Sequence, residues 1–154
     1  MKTAVADLWE LHATGSVWVV VPTNGVTAPN GHAVMGKGVA KDAAARFRGL
    51  TRALGTQLLL NGNHVYPFPE YRIFTFPTKN DWREPSSIEL IRQSTEELSK
   101  LSFGLLVALP HVGCGEGGLN WNSVYPVLSE ILDDRFLAVQ KEEELPVEEL
   151  EFKW

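Results

Sequence analysis

Cysteine is almost absent from this chain: a single residue, Cys114, among 154 excludes an intrachain disulfide and points to a reducing, cytoplasmic setting. Long hydrophobic runs are also missing. The longest, "VWVVV" and "LLVAL", are strand-sized, so no segment is expected to span a membrane. The start, "MKTAVADLWELHATG", lacks the apolar stretch of a signal peptide. Histidine is scarce, and His12, His32, His64 and His111 show no ligand spacing, so neither a metal nor a cofactor is expected. There are no internal repeats and no low-complexity linkers. A surplus of positive charge is lacking as well. The net charge is -5, and residues 142–154 hold six of the 19 acids and one of the 14 bases, which leaves residues 1–141 neutral. A neutral body argues against broad nonspecific binding to nucleic acid.

What is present is an ordinary globular composition, 44% hydrophobic and 21% charged. A chain of this length buries about 68–70% of its unfolded surface in one core. Residues 1–141 therefore read as one domain and residues 142–154 as an acidic C-terminal segment. Lys37, Lys41, Arg46, Arg48 and Arg52 fall within sixteen residues, opposed only by Asp42, which is most simply a solvated helix face and matters only for a phosphate-bearing ligand.

Strand and helix patterns alternate, which predicts an α/β layered domain with a parallel or mixed sheet. "SVWVVVPT" reads as a buried strand, followed by a glycine-rich loop and a helix through "GVAKDAAARF". Residues 50–60 lean helical and then loop, and "HVYPF" and "YRIFTF" read as short strands about Pro69 and Glu70. In "PSSIELIRQSTEELSKL", Ser86 and Glu89 form a capping box, with Ile88, Ile91, Thr95 and Leu98 on one face. "GLLVALP" has the unbroken apolar character of a central strand covered on both faces. A last helix carries the stripe Val124, Val127, Leu128 and Ile131; Pro126 suits its first turn, which makes Ser123 the expected N-cap. "RFLAVQ" supplies the last strand.

Two loops carry the chemistry. Gly31 to Lys37 reads G-x-x-x-x-G-K, the front of a phosphate-binding P-loop, but the next residue is Gly38, with no hydroxyl for Mg²⁺. The loop either presents free backbone N–H groups to an anion or is a tight turn needing positive φ. Gly113, Gly115 and Gly118 spell G-x-G-x-x-G between a strand and a helix; alone, the pattern is weak evidence for a dinucleotide site, because only one short strand follows. Loops leaving the carboxyl ends of sheet strands converge on one edge. Two glycine-rich loops there suit a pyrophosphate, and Asp7, near the end of a first strand, could accept from an adenine amine or simply cap a helix or turn.

Together these segments resemble the macrodomains, a family that binds ADP-ribose, over roughly residues 5–139. "VADLW" resembles the opening strand and adenine-binding Asp, "PTNGV…AVMGKGVA" the catalytic loop, and "LPHVGCGEGGLNW" the phosphate loop. "FPTKNDWREPSSIELI" is similar to the Phe-x-Thr-Lys segment of the branch containing terminal ADP-ribose glycohydrolases and the antitoxin that strips ADP-ribose from DNA.

The resemblance implies a three-layer α/β/α fold around a central mixed sheet. By position it implies Asp7 on the adenine amino group with Leu8 beside it, and Asn24 on the distal ribose hydroxyls. Gly36, Lys37, Gly38 and Val39 would wrap the distal ribose and a phosphate. Gly113, Cys114, Gly115, Glu116, Gly117 and Gly118 would wrap the diphosphate, with Cys114 a packing residue. Lys79 would stand at the distal ribose and, with Asn24, serve catalysis; without the resemblance it is only a partner for Asp81.

Two departures stand out. Some members of the branch carry an Asp where this chain has Gly117, leaving Glu116 as the nearest carboxylate. "TAPNGH" also lengthens the first loop, so His32 either reaches the distal ribose or takes no part. The implied activity is hydrolysis of the bond joining ADP-ribose to a macromolecular acceptor, a nucleobase or a carboxylate side chain. A phosphatase acting on ADP-ribose 1″-phosphate and a non-catalytic reader are the alternatives. The implied partner is ADP-ribose or an ADP-ribosylated macromolecule, nucleic acid included, with Trp82 and Arg83 placed by adjacency to sense the acceptor.

Overall fold

The computed structural model describes residues 1–141; the acidic C-terminal segment expected over 142–154 lies outside the described residues. Six strands and five helices run in the order β1 (Lys2–Val5), α1 (Leu8–Ala13), β2 (Val17–Thr23), α2 (Gly38–Arg46), α3 (Leu50–Asn61), β3 (Tyr66–Phe68), β4 (Ile73–Pro77), α4 (Ile88–Leu101), β5 (Leu106–Leu109), α5 (Trp121–Ile131) and β6 (Phe136–Gln140). They form one mixed sheet in the order β1-β6-β5-β2-β4-β3. Every pairing is parallel except the β3–β4 hairpin. The carboxyl ends of five strands therefore lie along one edge.

Alternation along the central strands divides the core in two. Val19, Val21, Ile73, Ala108 and Val139 face one way, packing with Leu8, Trp9, Ala43, Leu50 and Leu54 of α1, α2 and α3. Val20, Phe74, Phe76, Leu109 and Ala138 face the other way, against Ile91, Leu98, Val124 and Leu128 of α4 and α5. Three layers, α/β/α, result. Val19, Val20 and Val21 have no exposed surface at all, and burying each is worth about 1.5–3 kcal/mol. β2 is the strand that anchors both halves of the core.

Several boundaries differ from the sequence reading. The N-cap of α4 is Ser87, whose Oγ accepts from the Leu90 N–H at 3.2 Å, and not Ser86. Ser86 is withdrawn to another job: its N–H donates to the Gly117 carbonyl at 3.0 Å, and its side chain is buried under that loop. α5 is capped three residues before Ser123, by Asn120, which accepts from the Asn122 N–H at 2.8 Å. Pro126 thus sits inside α5, on its exposed face, where solvent can serve the carbonyl that its ring leaves without an intrahelical donor. α3 continues to Asn61 rather than fraying into a loop, and the six-residue α1 is the helix that Asp7 caps.

Candidate active site

The sheet edge collects, from consecutive strand ends, Asp7 after β1, Asn24 after β2, Lys79 after β4, Gly113–Gly118 after β5 and Lys141 after β6. Asp7 is the N-cap of α1: Oδ1 accepts from the N–H groups of Trp9 at 2.9 Å and Glu10 at 3.1 Å. Its Oδ2 lies 3.3 Å from Lys141 Nζ. The Glu10 N–H bond leads in holding the Asp7 carboxyl below its ordinary value, and Lys141 helps against a smaller desolvation cost. The carboxylate is charged and fixed at neutral pH. Beside it opens a cavity of about 200 Å³ with apolar walls from Leu8, Trp9, Val39, Pro110 and Val139 and with Asp42 and Lys141 as its charged members. Its size and lining suit a flat heterocycle, not a whole nucleotide. A larger open groove of about 570 Å³, lined by Arg52, Gln57, Pro67 and Glu70, lies by the amino end of β4 and holds none of these residues.

The loop from Asn24 to Lys37 is braced from within. Asn24 Nδ2 donates to the Val34 carbonyl at 2.9 Å, and its Oδ1 accepts from the Val26 N–H at 2.9 Å. One Nδ2 hydrogen and one Oδ1 lone pair remain for a ligand. The inserted turn folds back on itself through a bridge between Thr27 and Ala33 and docks on α3, the Ala33 N–H donating to the Thr51 carbonyl at 2.8 Å. His32 follows it: Nδ1 is 3.1 Å from Thr51 Oγ1, which ties the ring to α3. At the far end of the loop, Lys37 caps α2 without any side-chain hydrogen bond, and Gly38 has φ +58, a left-handed value that favours glycine. The N–H groups of the first turn precede the intrahelical ladder and have no acceptor within it. The positive-φ reading of this turn is the one seen in the backbone, at Gly38.

The second loop is folded tightly. Its ends are joined where Leu119 N–H donates to the Gly113 carbonyl at 3.0 Å. Among the described residues no acceptor is bonded to the N–H groups of Gly115, Glu116 and Gly117. A Cβ at Gly117 would collide with Ser86 Oγ and the Gly113 carbonyl. The departure from an acid at this position is therefore built into the packing. Cys114 is half-buried, its thiol donating to the Val112 carbonyl at 3.4 Å, and burial pushes it up to about 11. It is a packing thiol at neutral pH, not a nucleophile.

Lys79 joins the two halves. Its Nζ donates to the Trp82 carbonyl at 3.4 Å and the Glu116 carbonyl at 3.5 Å. Asp81, the partner expected from sequence, is engaged instead by Arg83 in a two-pronged pair at 2.9 and 2.7 Å. The backbone that carries Lys79 is held by extension of the β2–β4 ladder: Thr78 N–H donates to the Thr23 carbonyl at 3.0 Å and Gly25 N–H to the Asn80 carbonyl at 3.1 Å. Asn63, which sequence reasoning missed, donates through Nδ2 to the Lys79 carbonyl at 3.0 Å. Its position after a helix-ending glycine was the only signal. Glu116 turns its carboxylate to Lys37 Nζ, 3.6 Å away, so one residue touches both lysines. Lys37 and Lys79 thus meet at Glu116, with Asn24 following the strand next to that of Lys79, while Asp7 and the cavity lie by the ends of β1 and β6.

No protein-family model matches the chain. The DNA ADP-ribosyl glycohydrolase of Thermus aquaticus is 35% identical over 120 residues, 70% of this chain and 33% of that protein. That of Mycobacterium tuberculosis is 30% identical over 105 residues, 59% of this chain and 29% of that protein. This chain spans about a third of the length of the curated relatives it matches. Among solved structures, the macrodomain of Thermus aquaticus DarG superposes with a TM-score of 0.72 at 29% identity, covering 91% of this chain and 97% of that one. The chain has the macrodomain fold and is homologous to the DarG macrodomains. Thermosipho africanus DarTG, solved in complex with ADP-ribose, shares the macrodomain fold with a TM-score of 0.74 at 19% identity, over 98% of this chain and 44% of that one. In this macrodomain, among the described residues, no helix is long and apolar enough to cross a membrane and no cluster of His, Cys, Asp and Glu could hold a metal ion.

Proposed function

We propose that this macrodomain binds ADP-ribose along the sheet edge and hydrolyses the bond joining it to a base of DNA. The observation that carries the reading is the meeting of Lys79 with the Gly113–Gly118 loop, through the Glu116 carbonyl, in a homologue of proteins named for that activity. The sheet edge matches the polarity of the ligand from end to end. Asp7 and the apolar cavity receive the adenine; the open N–H groups of α2 and of Gly115–Gly117 receive the diphosphate; Asn24 and Gly36 receive the distal ribose.

The bond broken joins the anomeric carbon of that ribose to the acceptor. Positive charge develops on the sugar, the electron pair leaves with the base, and water supplies the hydroxyl and the proton. Lys79 stands where this happens. As a free amine it can attack the anomeric carbon and be released by water; as an ammonium it positions the ribose and stabilises the departing base. Lys79 and Asn24 are accordingly the residues assigned to catalysis.

Calorimetric titration with ADP-ribose, beside ATP and NAD, tests the binding half: saturation by ADP-ribose alone is expected. Incubation with an ADP-ribosylated oligonucleotide tests the activity. Release of free ADP-ribose supports hydrolysis, phosphate release from ADP-ribose 1″-phosphate alone would make the protein a phosphatase, and binding without either would make it a reader.

A further inference from the structure

We infer that Trp82 is a stacking platform for the acceptor base, so that the macromolecule is read at one unpaired nucleobase; the inference rests on the function proposed above. Trp82 is 50% exposed, yet it is not loose. Arg83 Cζ lies 5.2 Å from the indole centroid, and Arg83 is itself locked to Asp81 through Nε at 2.9 Å and Nη2 at 2.7 Å. The Arg83 N–H also donates to Asp81 Oδ1 at 2.9 Å, and the Glu84 N–H to the Asp81 carbonyl at 3.0 Å, which closes the turn. One face of the ring is occupied by the guanidinium, whose charge Asp81 offsets. Half of the residue's surface stays open to solvent.

The place of this ring matters more than its exposure. Lys79 Nζ donates to the Trp82 backbone carbonyl at 3.4 Å, so the indole belongs to the same turn as the amine. An acceptor is covalently attached to the anomeric carbon. If Lys79 works at that carbon, the acceptor must lie within a few ångströms of Lys79, beside Trp82. A carboxylate side chain offers no π-face to an indole, whereas every nucleobase does, and such stacking tolerates any sequence. A base stacked on protein cannot remain stacked in a duplex, so the substrate is single-stranded or presents an extruded nucleotide. Residues 1–141 carry equal numbers of acids and bases, so base stacking, not phosphate neutralisation, supplies the affinity for the strand, and its salt dependence will be shallow.

The test compares wild type, Trp82→Ala and Trp82→Phe with three ligands: free ADP-ribose, a single-stranded oligonucleotide ADP-ribosylated on a base, and a peptide carrying ADP-ribose on a glutamate. The oligonucleotide is expected to bind wild type more tightly than ADP-ribose does. Trp82→Ala should raise its Kd and KM by about 5- to 100-fold, Trp82→Phe should restore most of that, and the Kd for ADP-ribose should stay within about twofold because stacking is not part of that contact. The peptide should respond as ADP-ribose does. Equal affinity of wild type for oligonucleotide and ADP-ribose would overturn the inference. So would an equal loss on all three ligands, which would make Trp82 a support for the Lys79 turn. Should wild type release ADP-ribose from neither conjugate, the proposed activity fails, while the two Kd values still decide the stack.

Discussion

Lys37 Nζ and Glu116 Oε2 approach to 3.6 Å, so an ion pair links the loop before α2 to the loop after β5 at the place where the diphosphate would pass. Both side chains are mostly exposed, at 74% and 66%, and such a pair contributes at most about 1 kcal/mol to stability. Its effect on an anionic ligand is larger in kind, because the carboxylate offsets the nearest cation. Glu116→Gln should leave the melting temperature nearly unchanged and tighten ADP-ribose by about two- to fivefold at low ionic strength, with the gain fading as salt screens it. Titrations at two salt concentrations check this. A loss of affinity would instead mean that Glu116 holds the loop in shape.

Lys79 is held by two backbone carbonyls, at 3.4 and 3.5 Å, and, among the described residues, by no carboxylate. Removing its amine therefore leaves the loops with their own hydrogen bonds. Lys79→Ala should keep ADP-ribose affinity within a few-fold while release from an ADP-ribosylated oligonucleotide falls about 10²- to 10⁴-fold, the range typical of losing one proton-handling or nucleophilic group. Borohydride trapping of wild type during turnover separates the two roles of the amine, since only the covalent route leaves a reduced lysine adduct. Unchanged turnover by the purified variant would remove Lys79 from the chemistry.

How much of this was readable beforehand depended on the range of the interactions. The runs around Val19–Val21 and Val107–Leu109 announce central strands because both faces of the sheet are covered there, and the glycine spacings survive as loops because backbone geometry is local. Ser86 failed as a cap because its role is tertiary: the Gly117 carbonyl and the buried space beneath that loop claim it, and Ser87 takes the cap. Asn120 displaced Ser123 for a related reason, since the Val124 and Leu128 stripe stays buried while Pro126 turns outward. Asn63 carries only the weak signal of following a helix-ending glycine, because nothing in "NGN" says that Lys79 will lie across from it. Asp7 is a cap in the fold, a role the sequence leaves open.

Gly117 fits only without a side chain, since a Cβ there would meet Ser86 Oγ and the Gly113 carbonyl. Ser86 can be shortened, but the backbone carbonyl cannot. Gly117→Ala is expected to cost about 1–3 kcal/mol through overpacking, and Gly117→Asp should not gain activity from its carboxylate. The combination Ser86→Ala with Gly117→Ala should recover only part of the stability. Chemical denaturation of the three variants decides it, and a fully stable Gly117→Ala would show that the loop can move aside.

The Cys114 thiol, raised to about 11 by burial, is neutral at pH 7. Thiol reagents should label the native protein slowly and the denatured protein fast, and Cys114→Ala should hydrolyse an ADP-ribosylated oligonucleotide within about twofold of wild type, because only small-residue packing is lost. Rapid inactivation by a thiol reagent would contradict this.

The two carboxylate oxygens of Asp7 have different partners. Oδ1 caps α1 through the Trp9 and Glu10 N–H groups, and Oδ2 pairs with Lys141. Asp7→Ala removes the cap, at about 1 kcal/mol, together with the acceptor for the adenine amine, so ADP-ribose affinity should drop at least about tenfold. Asp7→Asn keeps a good cap and removes only the charge. The Glu10 N–H bond first, and Lys141 after it, hold the carboxyl below its ordinary value of 3.8 in the folded protein. Unfolding restores the ordinary value, so the stabilisation from the charge is complete above it and is lost as pH falls through the lower, folded value. The melting-temperature gap between wild type and Asp7→Asn should therefore be largest near neutral pH and narrow only below about pH 4. A gap that persists unchanged to pH 2 would mean that the charge of Asp7 is not what the fold uses.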